Sequence, residues 1–216
     1  MNLELSKSVG GVGSLLLFIG GLAFFVQPLL TLGLGFVAIS LMLISLHSLA
    51  HYYAEKGIFN NGLYGFITAI VGGVVSFVGF VYLFFYTSYV NDIAAVFYPG
   101  FNGDWTNLPN LTVNPNLNPA DIAAFIGPII AILVVTWIFI IVASFFTWRA
   151  LKHVASKSTV GLFSTAGLIM LIGAIIPVLG LILVWIAILL IAIAFFQIKP
   201  QAEQPTVTIP SPPSTV

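Results

Sequence analysis

From Val9 to Ala50 the chain carries no Asp, Glu, Lys or Arg, and the same is true from Val160 to Ile198. A helix rises about 1.5 Å per residue and needs about 20 apolar residues to cross about 30 Å of hydrocarbon. As a single helix, either run would be roughly twice as long as one crossing requires, so each must turn back on itself. In the first run the turn falls at "VQPLL", where Pro28 lacks the amide donor of a continuing helix and Gln27 can bond to water or headgroups. In the second it falls at "IIPVLGL", around Pro177 and Gly180. These turns predict helices over 9–26, 29–51, 160–176 and 179–198, and two further apolar runs predict helices over 63–86 and 121–148. Asn118 can cap the last of these, Pro119 suits its first position, and Asp121 adds a favourable charge to its first turn. The predicted fold class is all-α, a polytopic membrane bundle of six transmembrane helices. Shallow re-entrant hairpins at the first and last pairs are the alternative.

Composition agrees, with 60% of residues hydrophobic and 6% charged, against about 25% charged in soluble domains. The first apolar segment lacks a small-residue cleavage pattern and reads as a retained helix. With no cysteine, the chain cannot supply disulfides, thiolate metal sites or iron–sulfur ligands. Formal net charge is zero, and there is no basic cluster of the kind a nucleic-acid partner requires.

The charges assign sides. Lys7, Lys56, Arg149, Lys152, Lys157 and Lys199 all fall on one face, and the long loop over 88–120 on the other face carries Asp92 and Asp104. Basic loops stay inside, so both termini are expected in the cytoplasm and the protein in the cell membrane. Residues 1–199 then form the transmembrane domain, and the proline-rich segment over 200–216 forms a cytoplasmic tail with no apolar stripe.

Two inner joints resemble each other: "SLAHYYAEKGIFNNGLYG" at 48–65 and "ALKHVASKSTVGLFSTAG" at 150–167. Leu49-x-His51 aligns with Leu151-x-His153, Lys56 with Lys157, Gly57-Ile58-Phe59 with Gly161-Leu162-Phe163, and Gly62 with Gly167. Ser6-Lys7-Ser8, Gly11 and Ser14 recur at the spacing of Ser156-Lys157-Ser158, Gly161 and Ser164. Three parallel two-helix units over 5–54, 55–155 and 156–199 account for the pattern, since an even number of helices restores orientation each time. Shared membrane-boundary grammar is the competing explanation. On the repeat reading, Lys56 and Lys157 mark the inner boundary while Phe59 and Phe163 turn back into the bundle.

These joints, together with "AGLIMLIGAIIPVLGLILVWIAILLIAIAFF" after the second, resemble an uncharacterised, mainly archaeal membrane-protein family, domain of unknown function 996, over about residues 5–198. The resemblance implies the fold and no activity. In that family the inner joints tend to carry Lys and acidic residues where this chain has His47 and His51, and the outer loop is usually shorter. Some relatives end in a cysteine-rich zinc-ribbon tail, from which the Cys-free "QAEQPTVTIPSPPSTV" departs.

Candidate sites are few. His47, His51 and Glu55 are spaced to share one helix face, with His153 at the matching place in the second joint. Imidazoles so placed can ligate zinc or bracket a haem; the plainer reading is interfacial histidine at a helix C-terminus. Asn110-Leu111-Thr112 fits the N-glycosylation pattern in the outer loop, whose Asn and Pro residues favour turns and whose Tyr98, Phe101 and Trp105 suit an interface. Ala69-x-x-x-Gly73, Gly72-x-x-x-Ser76 and Ala123-x-x-x-Gly127 suit close helix packing, internal or between copies. Intramembrane polar groups are Ser and Thr, without the charged residue that a transport path would need. The expected role is therefore a non-catalytic structural or accessory subunit, with no cofactor, among other membrane subunits or copies of itself. A small-molecule permease or channel is the alternative, followed by a haem- or quinone-associated electron-transfer subunit.

Overall fold

The computed structural model describes residues 2–23, 27–86 and 88–200. The proposed tail beyond Pro200 lies outside the described residues. Among the described residues seven α-helices run α1 (Leu3–Ala23), α2 (Pro28–Tyr52), α3 (Lys56–Val81), α4 (Tyr89–Phe97), α5 (Pro119–Ser158), α6 (Leu162–Ile175) and α7 (Leu179–Gln197). A π-helical turn, Tyr82–Tyr86, extends α3, and a 3₁₀ turn, Trp105–Asn110, follows α4. No strand occurs among the described residues. The chain is an all-α bundle; among the described residues five helices are long and apolar enough to cross a membrane, and α6 is a shorter apolar helix.

The turns form where the prolines require them. Gln27 is extended ahead of α2, with Pro28 in the first turn, and Asn118 accepts the Ala120 amide at 3.0 Å to cap α5 behind Pro119. At the last hairpin Val178 adopts φ +65°. Here α6 and α7 approach so closely that a Cβ on Gly180 would lie 1.8 Å from the Gly173 carbonyl oxygen. Only glycine fits there.

Three helix pairs, α1–α2, α3–α5 and α6–α7, pack most extensively within themselves. The pairs then join side by side, α2 to α3, α5 to α6 and α7 to α1, closing a ring in which the α2–α3 seam is the smallest. Small residues and hydroxyls set the approaches. A Cβ on Gly72 would lie 2.4 Å from Phe139, and Ser76 and Thr136 bridge α3 to α5 at 2.6 Å. The Trp137 indole donates to the Ala174 carbonyl at 2.8 Å, and that of Trp185 to the Phe18 carbonyl at 3.1 Å with its ring stacked on Phe18. Close packing therefore holds for Gly72 and Ser76, whereas nothing lies within 4 Å of a Cβ on Gly73 or Gly127.

The dense core lies at the end of the ring where the joints over 48–65 and 150–167 meet. Three of its helices contribute the same i, i+3, i+4, i+7 face: Leu46, Leu49, Ala50 and Tyr53 from α2 and its cap, Leu151, Val154, Ala155 and Ser158 from α5, and Ile191, Ala194, Phe195 and Ile198 from α7 and its cap. The first turns of α1, α3 and α6 add Leu3, Ile58 and Phe163.

Several sequence-based boundaries are corrected by this core. Helices α1, α3 and α5 extend past the apolar stretches, from Leu3 where 9 was expected, from Lys56 where 63 was expected, and to Ser158 where 148 was expected. Hydropathy ends where lipid ends, but nothing in "RALKHVASKS" breaks a helix, so α5 continues for 40 residues. The loop over 88–120 is expected to consist of turns, yet it contains α4. Ser88 precedes that helix, Asp92 lies in its first turn, and Asn114 ties down its end: the Asn114 backbone N–H donates to Phe97 O at 2.8 Å and its side-chain amide to Val96 O at 3.2 Å.

The burial register of the two joints keeps the Gly62–Gly167 pair and departs from the other pairs of identical letters. Buried, half-buried and exposed positions from Ser45 to Asn60 recur without a gap from Ala150 to Thr165, departing only at the pairs Ala50/Ala155 and Tyr52/Lys157. Ile58 therefore corresponds to Phe163, and Phe59 is only half-buried. Ser6-Lys7-Ser8 is inside α1, whereas Ser156-Lys157-Ser158 ends α5, so that sequence match is not a structural one.

Candidate functional site

The α2–α3 joint gathers most of the chemistry-bearing side chains. Helix α2 stops at Tyr52 because Ala54 takes the left-handed conformation, φ +51°. The Ala54 N–H donates to His51 O at 3.2 Å and the Glu55 N–H to Ala50 O at 2.9 Å, which closes the helix with paired reverse bonds. Thr159, φ +59°, stands at the same place after α5.

This stop corrects the expected face of His47, His51 and Glu55. His47 and His51 do meet, with ring centroids 4.7 Å apart, and His47 also meets the Phe59 ring at 4.7 Å. Glu55, beyond the helix, turns instead to cap α3, its Oε1 accepting the Gly57 amide at 3.3 Å. Its carboxylate then reaches α5, with Oε1 3.9 Å from His153 Nδ1 and Oε2 3.7 Å from Lys157 Nζ. His153 thus belongs to this inter-helix pairing, while His47 and His51 pair with each other. Among the described residues no group of three or more His, Cys, Asp or Glu side chains is arranged to hold a metal ion.

Beside the two histidines is a cavity of about 400 Å³ lined by His47, His51, Ala54, Lys56, Phe59 and Asn60. None of the His47, His51, Lys56 and Asn60 side chains makes a hydrogen bond or ion pair to a described residue. The residue that reading the sequence alone left out is Asn60, because its role depends on the register of α3's first turns.

At the opposite end, Asp104 starts the 3₁₀ turn and accepts both the hydroxyl and the amide of Thr106, at 2.6 and 3.0 Å. Those two bonds lower the Asp104 pKa from the ordinary carboxylate range. Asn110 closes the same turn, exposed, with its side chain donating to Asn107 Oδ1 at 2.9 Å.

No curated protein and no solved structure matches the chain. A family model described as "Protein of unknown function (DUF996)" matches residues 34–194, from within α2 into α7. That range takes in the joints over 48–65 and 150–167, the cavity and the loop over 88–120, and the chain belongs to this family.

Proposed function

We propose that this chain is a non-catalytic structural or accessory subunit of a membrane complex. In this reading it crosses the cell membrane six times, keeps both termini in the cytoplasm, and consists of three two-helix units, α1–α2, α3–α5 and α6–α7. One observation carries the functional part: Ser45, Thr31, Ser76, Thr136, Trp137 and Trp185 use their polar groups to tie one helix to another. Ser45 donates to Ser6 O at 2.7 Å, Thr31 to Gly20 O at 3.2 Å, Ser76 bonds Thr136, and both Trp137 and Trp185 donate to neighbouring backbones. A substrate route needs polar groups turned toward the substrate, and these are turned toward the protein. Shared burial across the joints supports the repeat, and the gathering of basic residues at the joint end supports the orientation. Exposed Asn110 is the proposed glycan acceptor on the outer side.

Photo-crosslinkers at Phe77 and Phe85, 69% and 81% exposed on the α3 flank, test the role in native membranes. The expected product is one protein adduct of fixed mass from each position. Lipid adducts alone, combined with solute flux in proteoliposomes, would replace this reading with a permease, and a Soret band abolished by His51→Ala would replace it with a haem subunit. Cysteines at Asn107 and Lys56 should label from opposite faces of sealed vesicles; labelling from one face would overturn the topology.

A further inference from the structure

We infer that the cavity between α2 and α3 binds the phosphate of an anionic phospholipid, its acyl chain lying along the α2–α3 seam. The lining offers a point cation in Lys56, imidazole N–H groups in His47 and His51, and an amide donor in Asn60. Lysine and amide donors are the usual protein partners of phosphate oxygens, and basic pockets between membrane helices take anionic headgroups. The nearest acid does not oppose them, because Glu55 has turned its carboxylate to His153 and Lys157 on α5. The cavity, about 400 Å³, lies within the range of small-molecule sites, about 300–1,000 Å³.

The rest of the seam favours a lipid over a soluble phosphate. Ile44 lies one turn before His47 on α2, and Ile67 lies two turns after Asn60 on α3. Both are exposed, at 51% and 47%. A cavity that carries Lys56, His47, His51 and Asn60 therefore opens onto exposed apolar side chains of the same two helices, whose seam is the smallest in the ring. That order of polar then apolar surface is the order of groups in a phospholipid.

Native mass spectrometry of the full chain in detergent, with dioleoylphosphatidylglycerol or dioleoylphosphatidylcholine added, tests the site. Phosphatidylglycerol should be retained in preference. The double variant Lys56→Gln with His51→Gln should lower its retention about tenfold, and Lys56→Arg should restore most of it beside His51. Lys152→Gln removes an exposed cation that packs on Trp148 and lies outside the cavity, and should have no effect. Unchanged melting of each lipid-free variant would establish that the fold is intact, and a variant that melts early would be replaced by Asn60→Ala, for which the same loss is expected. Equal retention of the two lipids, or equal loss in Lys152→Gln, would overturn the site. Displacement of phosphatidylglycerol by millimolar inorganic phosphate would overturn the lipid assignment in favour of a soluble phosphate.

Discussion

Tyr53 follows α2 with 8% of its surface exposed, and its hydroxyl is buried without a hydrogen-bond partner among the described residues. A buried unpaired hydroxyl costs about 1–3 kcal/mol. Tyr53→Phe should therefore raise the melting temperature in detergent, where most core substitutions lower it. Burial, with the neighbouring Tyr52 adding to it, pushes the Tyr53 phenol up from 10.0 to about 12. Its folded state holds the proton more tightly than the unfolded state, so this contribution is intact below about pH 10 and is lost as pH rises from about 10 to about 12. Melting curves at pH 9 and pH 11 should converge partly in Tyr53→Phe. The neighbouring Ala54, and Thr159 in the second joint, hold left-handed backbone that costs about 1–2 kcal/mol for residues with a Cβ. Part of that is offset by the freedom glycine adds to the unfolded chain. Ala54→Gly and Thr159→Gly should each stabilise by up to about 1 kcal/mol, read as a rise in melting temperature.

Among the elements, the α6–α7 hairpin has the least tolerance. Gly180→Ala drives a methyl into the Gly173 backbone, which no rotamer change relieves. A loss of about 3 kcal/mol is expected, the upper end of overpacking costs. Gly35→Ala, with nothing within 4 Å, should be neutral or slightly stabilising by helix propensity; comparing the two melting temperatures checks both. The first turns of α3 and α6 give a sharper contrast. Ile58 and Phe163 are fully buried in one core, so Ile58→Ala and Phe163→Ala should cost about 2–5 kcal/mol each. Phe59→Ala should cost less, since Phe59 is half-buried against His47. Equal losses at Phe59 and Phe163, with Ile58 silent, would restore the register that aligned identical letters. Burial departs from that alignment for a physical reason: Phe59 and Phe163 share a residue type, while the core selects by helix face, and on that face Ile58 is buried as Phe163 is.

For the molecule as a whole, crossing helices and their turns were legible because lipid thickness, uncharged runs and prolines act through chain length alone. The core at the joint end was not, since Leu3, Ile58, Leu151 and Val154 lie in helix ends that pass beyond the apolar stretches. Of the candidate site, the His47–His51 pair could be read from spacing, but Glu55 could not, because a left-handed alanine ends the helix one turn too early. Ring closure has its own consequence. The first helix meets the last, and Lys7 and Lys199 line one cavity at the joint end, so the order of helices around the ring is the same whichever unit is translated first. A circular permutant that links residue 200 to residue 2 and opens between Ala54 and Glu55 should fold with its other contacts kept, since the cut falls at the smallest seam. Monomeric elution in detergent, with a melting temperature a few degrees below that of the parent, is the expected result; aggregation would mean that α1 and α2 must enter the membrane first to template the rest.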